Sequence, residues 1–181
     1  MIPFDKRQGE IWLDGDFVPW AEARLHVLSH GLHYGGSAFE GERAYNGRIF
    51  KLEEHSARLV DSARILDMDM KWTADEISAA SAETIVRNGL NEAYIRPVIW
   101  RGAEGLGIGA DGLTTHLAIA AWRWNDAFPP KAYTHGIRLA TASWRRPNPM
   151  TAPTKAKAGG LYSIGTLAKH EAIRKGAQDA L

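Results

Sequence analysis

A lysine set among small apolar residues is the part of the sequence best suited to covalent chemistry. The segment TAPTKAKAGGLYS occupies residues 151–163 and holds Lys155, Lys157 and, five residues after the second lysine, Tyr162. Desolvation lowers the pKa of an amine and thereby makes it nucleophilic. We therefore expect one of these lysines to be kept out of bulk water beside the phenol, followed by a flexible turn at Gly159-Gly160.

A nucleophilic lysine of this kind usually forms a Schiff base with a carbonyl compound, most often pyridoxal 5′-phosphate. Such a site also needs an anion cradle for the phosphate and a donor for the ring oxygen. It needs a carboxylate for the pyridine nitrogen and a receptor for the substrate carboxylate. Spacing alone supplies only the lysine and the tyrosine. On composition alone, two solvated loop lysines remain the simpler interpretation.

The bulk composition excludes several classes of protein. The chain has 181 residues with a formal net charge of +1, so no global charge attracts it to nucleic acid or to a membrane. It contains no cysteine, which excludes disulfides and fits a cytoplasmic protein. The longest apolar run, residues 117–122, is too short to span a bilayer, and the first residues lack the apolar segment of a secretory signal.

A metal site is the other chemistry that the residue types suggest. His26, His30 and His33 are spaced so that one helix could present all three together. No carboxylate lies in register with them, and the sequence therefore predicts no metal site.

Local signals predict an α/β chain. Asp14-Gly15 and Asn46-Gly47 are typical of type I′ turns and predict two β-hairpins. Thr73 and Glu76 form a capping box. Three helices are predicted. The first covers residues 53–66, the second runs from the capping box at Thr73 to Asn88-Gly89, and the third covers residues 161–175. Further strands are predicted at residues 93–100, 115–124 and 136–144.

The order of these elements predicts two domains. We expect a first α/β domain over residues 1–125, a proline-bearing linker over 126–133, and the beginning of a second domain over 134–181. One strand and one helix cannot bury a core of their own. We therefore expect either that the second part packs wholly on the first or that the chain is part of a longer protein.

Four segments resemble the fold-type IV aminotransferases, which use pyridoxal 5′-phosphate. PTKAKAGGLY looks like the lysine segment of that family and assigns the Schiff-base role to Lys157 rather than Lys155. HVLSHGLHYGGSAFEGERAY, FKLEEHSARLVDSARIL and AYIRPVIWRG are similar to further family blocks, in the same order. The resemblance covers about residues 11–176. It implies a small N-terminal α/β domain followed by the start of a larger cofactor-binding domain.

Within the family, the chain looks like the branched-chain amino acid aminotransferases. The matching residues are Tyr34, Phe39, Gly41, Arg43, Tyr94 and Arg96. The resemblance implies transfer of an amino group between leucine, isoleucine or valine and 2-oxoglutarate. Related transaminases of D-amino acids or (R)-amines are the second possibility. A non-catalytic remnant of the fold is the third.

The resemblance also assigns roles to individual residues. Lys157 carries the cofactor and moves a proton, Tyr162 donates to the ring oxygen, and Arg58 binds the phosphate. Tyr94 and Arg96 alternate on a strand and so share a face, which receives the substrate carboxylate.

Phe39, Trp124 and Tyr34 would line an apolar substrate pocket together with Arg43. In the family, Tyr34 and the loop around Ile108 reach into the partner subunit's site, which implies a homodimer. Family members continue beyond the helix where this chain ends, and that stretch carries the carboxylate for the pyridine nitrogen. We therefore expect the chain to be truncated, and to be poorly folded or inactive alone.

Overall fold

The computed structural model describes residues 2–124 and 130–181, and it shows a sheet covered by helices on one face. The strands are, in chain order, β1 (Glu10–Leu13), β2 (Asp16–Pro19), β3 (Ser37–Phe39), β4 (Glu42–Tyr45), β5 (Arg48–Ile49), β6 (Ala93–Arg101), β7 (Thr115–Arg123), β8 (Leu139–Ala140) and β9 (Asp179–Ala180). The helices are α1 (His30–Tyr34), α2 (Leu52–Ile65), α3 (Ala74–Arg87), α4 (Pro130–His135) and α5 (Ser163–Arg174).

Both predicted hairpins are present. Asp14-Gly15 joins β1 to β2, and Asn46-Gly47 joins β4 to β5. All four turn residues have positive φ, which is the conformation that a type I′ turn requires. The predicted capping box at the start of α3 is also confirmed, because Thr73 accepts from the Glu76 amide while the Glu76 carboxylate accepts from the Thr73 amide.

The central strands β6 and β7 give the sheet two different faces. They pair antiparallel from Ala93 opposite Arg123 to Arg101 opposite Thr115, and buried and half-buried residues alternate along both. The buried set packs against α2 and α3 to form the core. The sheet order is β2-β1-β7-β6-β4-β5, and β3 also pairs with β6. The other face carries the half-buried set and is open.

The C-terminal part differs from the prediction. Of the strand predicted at residues 136–144, only residues 139–140 are extended in a pair, as β8 beside the parallel β9. The strand is short because its partner offers only two residues of backbone. The predicted helix at residues 161–175 is confirmed as α5, preceded by a 3-10 turn at Gly159–Tyr162.

The predicted linker at residues 126–133 is described only in part. Residues 126–129 lie outside the described residues, and the remaining residues begin α4. The division into domains therefore stays a prediction. Within residues 2–124 and 130–181, no helix has both the length and the apolar character needed to cross a membrane.

Candidate active site

The backbone around Lys157 is attached to the first part of the chain. The Lys157 amide donates to the Ser62 hydroxyl on α2 at 3.0 Å, and its carbonyl accepts from the Phe39 amide at 3.2 Å. Ala158 forms an antiparallel bridge with Ala38 of β3. The flanking alanines, residues 156 and 158, are buried while Lys157 is half-buried. The small residues therefore let this segment pack closely while the lysine side chain extends away from the packed side.

The two glycines after the lysine begin the 3-10 turn, as predicted, and they also lie in close contacts with the segment around Gly35 and Ser37. A Cβ on Gly159 would lie 2.4 Å from the Ser37 hydroxyl. A Cβ on Gly35, which has φ +65°, would lie 2.9 Å from the Cα of Gly160. Two backbone segments thus approach each other more closely than side chains would allow.

The lysine and the tyrosine of the predicted pair meet. Lys157 Nζ donates to the Tyr162 hydroxyl at 2.6 Å and lies 5.1 Å from the centre of the Phe39 ring. Tyr162 is 47% exposed, so the pair is less shielded from water than the sequence predicts. Both residues line a cavity of about 600 Å³ that Arg58 also borders. Lys155 borders the same cavity but is exposed and has no tyrosine partner among the described residues.

Arg58 is held by an acidic residue that no sequence motif indicated. Its Nε and Nη2 donate to the two carboxylate oxygens of Glu40 at 2.6 and 2.7 Å. His55, one turn earlier on α2, contacts the same carboxylate at 2.8 Å through Nδ1. Glu40 is fully buried, whereas the Arg58 side chain is 53% exposed. In the sequence, Glu40 could be noticed only because it is an acidic residue within the FEGERAY segment, which resembles a family block.

The ionisation of Glu40 follows from these contacts. Burial alone would raise its pKa, but the hydrogen bonds from Arg58 and His55 outweigh burial. The pKa of Glu40 therefore lies below its ordinary value, and the residue is a carboxylate at neutral pH.

Five of the predicted substrate residues form one layer on the open face of the sheet, namely Phe39, Arg43, Tyr94, Arg96 and Trp124. Arg96 donates to the Tyr94 hydroxyl at 2.8 Å and lies 4.5 Å from the centre of the Phe39 ring. Tyr94 stacks on Trp124 with ring centres 4.9 Å apart, and Arg43 lies 4.7 Å from the Trp124 ring. Since Phe39 also contacts Lys157, the layer is continuous with the lysine.

Two features of this layer suit a ligand with both apolar and anionic groups. The Nε atoms of Arg43 and Arg96 are buried and, among the described residues, have no hydrogen-bond partner. The absence of a side chain at Gly41 leaves room for the Tyr94 hydroxyl, because a Cβ at this position would lie 2.1 Å from that oxygen. Tyr94 cannot easily move aside, since it also packs against Trp122.

Tyr34 and Ile108 do not join this layer. The Tyr34 hydroxyl donates at 3.2 Å to the carbonyl of Leu106, two residues before Ile108 in the same loop. Tyr34 is 49% exposed and Ile108 is 79% exposed. His30 is buried against the Tyr34 ring, whereas His33 contacts the Val27 carbonyl. Within the described ranges, no cluster of histidines and carboxylates could hold a metal ion.

Comparisons with known proteins agree with this geometry. A family model described as "Amino-transferase class IV" matches residues 37–181. The branched-chain-amino-acid aminotransferase of Pseudomonas aeruginosa is 43% identical over 179 residues, covering 97% of this chain and 58% of that protein. The corresponding protein of Escherichia coli (strain K12) is 40% identical over 181 residues, covering 97% of this chain and 59% of that protein.

Solved structures give the same result. The Escherichia coli branched-chain amino acid aminotransferase matches with a TM-score of 0.92 at 40% identity, covering 96% of this chain and 59% of that one. A branched-chain amino acid aminotransferase from T.th., in a crystal structure with pyridoxamine 5′-phosphate, matches with a TM-score of 0.91 at 43% identity, covering 97% of this chain and 59% of that one.

These relatives confirm the expected α/β fold of type IV. The chain spans only 58% of the length of the Pseudomonas aeruginosa protein and 59% of the Escherichia coli one. Because the family model matches most of its residues, the chain belongs to the class IV aminotransferase family.

Proposed function

We propose that the protein is a pyridoxal-phosphate-dependent aminotransferase acting on leucine, isoleucine and valine, with 2-oxoglutarate and glutamate as the second pair of substrates. The observation that carries this proposal is the Lys157 amine, 2.6 Å from the Tyr162 hydroxyl, in a cavity bordered by Arg58. The proteins similar to this chain that bear the name of branched-chain aminotransferases support the choice of substrate.

The residues of the cavity fit the cofactor. Lys157 presents an amine to a carbonyl carbon, and Tyr162 presents a hydroxyl to a ring oxygen. Arg58 presents a guanidinium, whose planar fork suits a phosphate. When bound, pyridoxal phosphate supplies an electron sink that stabilises negative charge developing at the substrate Cα.

Two residues of the chain would handle the proton. Lys157 Nζ would be the base that accepts the Cα proton of the amino acid and then donates it to C4′ of the cofactor. Tyr162 holds the amine in place through the hydrogen bond between them. Among the described residues, no carboxylate forms an ion pair with Lys157 Nζ, whose contacts are the Tyr162 hydroxyl and the rings of Phe39 and Tyr162.

The layer on the sheet would receive the substrate side chains. The rings of Phe39 and Trp124 offer apolar surface to a branched aliphatic side chain. Arg96, which is hydrogen-bonded to Tyr94, offers a cation to a carboxylate, including the distal carboxylate of glutamate. A site with both kinds of surface suits an enzyme that alternates between a branched-chain substrate and a dicarboxylic one.

We also propose that the working unit is a homodimer in which Tyr34 and Ile108 face the partner's site. Five further large apolar side chains around them are exposed, namely those of Leu25, Val27, Leu28, Leu32 and Leu106. Exposed apolar side chains grouped in this way are typical of a protein interface.

The test is the visible absorption of the purified protein, in its full native length, with pyridoxal 5′-phosphate. We expect a bound-cofactor band that decreases when L-leucine is added. Lys157→Ala should lack the band, and Lys155→Ala, two residues away on the same cavity, should keep it. A decrease with D-leucine instead of L-leucine would favour a D-amino acid enzyme, and no band in any variant would favour a non-catalytic protein.

A further inference from the structure

We propose that Glu40, together with His55, is a positioning residue that aims the Arg58 guanidinium at the cofactor phosphate. This inference rests on the proposed function, because it concerns the phosphate group of the cofactor. It adds two residues that do not border the cavity themselves and that act only through Arg58.

The first argument is that Arg58 needs support. It is a residue of α2, and its side chain is 53% exposed. A long side chain in that setting has many rotamers, and ordering it on ligand binding costs conformational entropy. The two bonds to Glu40, at 2.6 and 2.7 Å, fix the plane of the guanidinium before any ligand arrives.

The second argument is that Glu40 is itself immobile. Its side chain has no exposed surface, and its amide donates to the Pro97 carbonyl of β6 at 2.9 Å. The His55 ring, at 2.8 Å from one carboxylate oxygen, restrains the acid from a second direction. The Glu40 carboxylate therefore has a fixed position, and it fixes the position of the Arg58 guanidinium through the two hydrogen bonds between them.

The third argument concerns the donors that remain. A guanidinium has five N–H bonds, and Glu40 occupies one on Nε and one on Nη2. The three others, two on Nη1 and one on Nη2, point away from Glu40 because the group is planar. Arg58 borders the cavity of Lys157 and Tyr162, so these three donors are available to an anion there.

A carboxylate is required in this role because it only accepts hydrogen bonds. Glutamine in its place would offer one acceptor and turn an NH₂ group toward the arginine donors. Glu40→Gln therefore breaks the alignment of Arg58 with little change in volume.

The experiment compares pyridoxal 5′-phosphate with pyridoxal, which lacks the phosphate, by spectroscopic titration of the full-length protein. The ratio of the two dissociation constants measures what the phosphate contributes. We expect Glu40→Gln to reduce this ratio about 10-fold, as loss of a charge-assisted contact would. The affinity for pyridoxal itself should stay within about twofold, because its remaining contacts do not involve Arg58.

Two further variants separate positioning from general stability. In an Arg58→Ala background, adding Glu40→Gln should leave the ratio unchanged, because there is no arginine left to position. Glu42→Gln is the matched control, since Glu42 is also buried but has no hydrogen-bond partner in the described structure. It should leave the ratio unchanged in the wild-type background. Glu40→Asp, which keeps the charge but is shorter, replaces Glu40→Gln if the latter does not fold.

The outcomes are distinct. If Glu40→Gln weakens both ligands equally, or acts equally with and without Arg58, the residue is merely structural and the inference is wrong. If the wild-type protein binds neither ligand, the proposed function is wrong and the inference with it. A phosphate-specific loss that requires Arg58 supports both.

Discussion

At the scale of single residues, Glu42 combines burial with a lack of partners. The register of β4 places it opposite Ile95 on the core face, where it is 1% exposed. Neither carboxyl oxygen has a hydrogen-bond partner among the described residues. Burial, reinforced by the negative charge of Glu40, raises the pKa of Glu42 to about 8. The side chain is therefore protonated in the folded chain at neutral pH and ionised in the unfolded one.

We expect Glu42→Gln to stabilise the protein increasingly as the pH rises. Between the ordinary pKa and about 8, the folded state retains a proton that the unfolded state has lost. The free energy of unfolding of the wild type therefore falls across this window, and glutamine removes that loss. Between pH 5 and pH 8 the effect of the substitution should shift in favour of glutamine by about 2–4 kcal/mol, because each unit of pKa difference is worth about 1.4 kcal/mol. Urea denaturation at pH 5, 6.5 and 8 measures it.

Glu40→Gln is the contrasting variant for this experiment. Since the pKa of Glu40 is lowered, its carboxylate contributes stability above its ordinary pKa, and the variant should lose stability at pH 8. A gain from Glu42→Gln that does not change with pH would contradict the proposed protonation of Glu42.

At the scale of elements, features with a local cause could be predicted from the sequence. The two hairpins depend on turn pairs that adopt positive φ, and α3 begins at a box made by Thr73 and Glu76. Strand β8 could not be bounded in this way. Its length depends on β9, about 40 residues further along the chain. Because β9 has only two residues, it can pair with only two residues of β8.

The same distinction applies to the candidate site. Lys157 and Tyr162 meet because they are five residues apart in one segment, so their spacing already suggested the pair. The contact between Arg58 and Glu40 joins α2 to the β3–β4 connection and arises only when the helix packs on the sheet. Nothing in the local sequence distinguishes Glu40 from an exposed acid. The roles of these residues stay predictions.

The junction between α1 and the lysine segment can be tested with a glycine. We expect Gly35→Ala to destabilise the protein by about 2–4 kcal/mol, because a Cβ at φ +65° is strained and would also lie 2.9 Å from the Gly160 Cα. The backbone of Gly160 cannot rotate away as a side chain end could. Thermal and urea denaturation measure the loss.

Gly165→Ala on α5 is the matched control for the junction. Nothing lies within 4 Å of a Cβ at that position, so alanine should stabilise the helix by about 0.5–1 kcal/mol. Equal effects of the two substitutions would show that the close approach of the backbones does not matter.

At the scale of the whole molecule, the two faces of the sheet are unequal. Helices α2 and α3 cover one face, and the other contains a groove of about 370 Å³ between the sheet and the segment that precedes β3. Leu32 lines this groove and is 64% exposed, close in the chain to Tyr34. The proposed homodimer would cover this surface and bring Tyr34 of one protomer to the lysine of the other.

A shared site of this kind predicts that two inactive variants restore each other. Lys157→Ala lacks the base, and Tyr34→Ala should lack a residue of the partner's site. If they are mixed, unfolded and refolded together, half of the dimers are mixed and each has one intact site. Transamination of L-leucine should then recover to about a quarter of the wild-type rate per site, since a symmetric dimer exchanges the same contact in both directions.

Leu32→Asp in both variants is the control, because a charge at the proposed interface should prevent mixed dimers and remove the recovery. Val86→Asp in both variants is its match. Val86 is 75% exposed but lies on α3, the helix that covers the opposite face of the sheet. Recovery should persist in that pair. If mixing restores no activity while sedimentation shows that mixed dimers form, Tyr34 serves its own protomer, and the proposed sharing of the site is wrong.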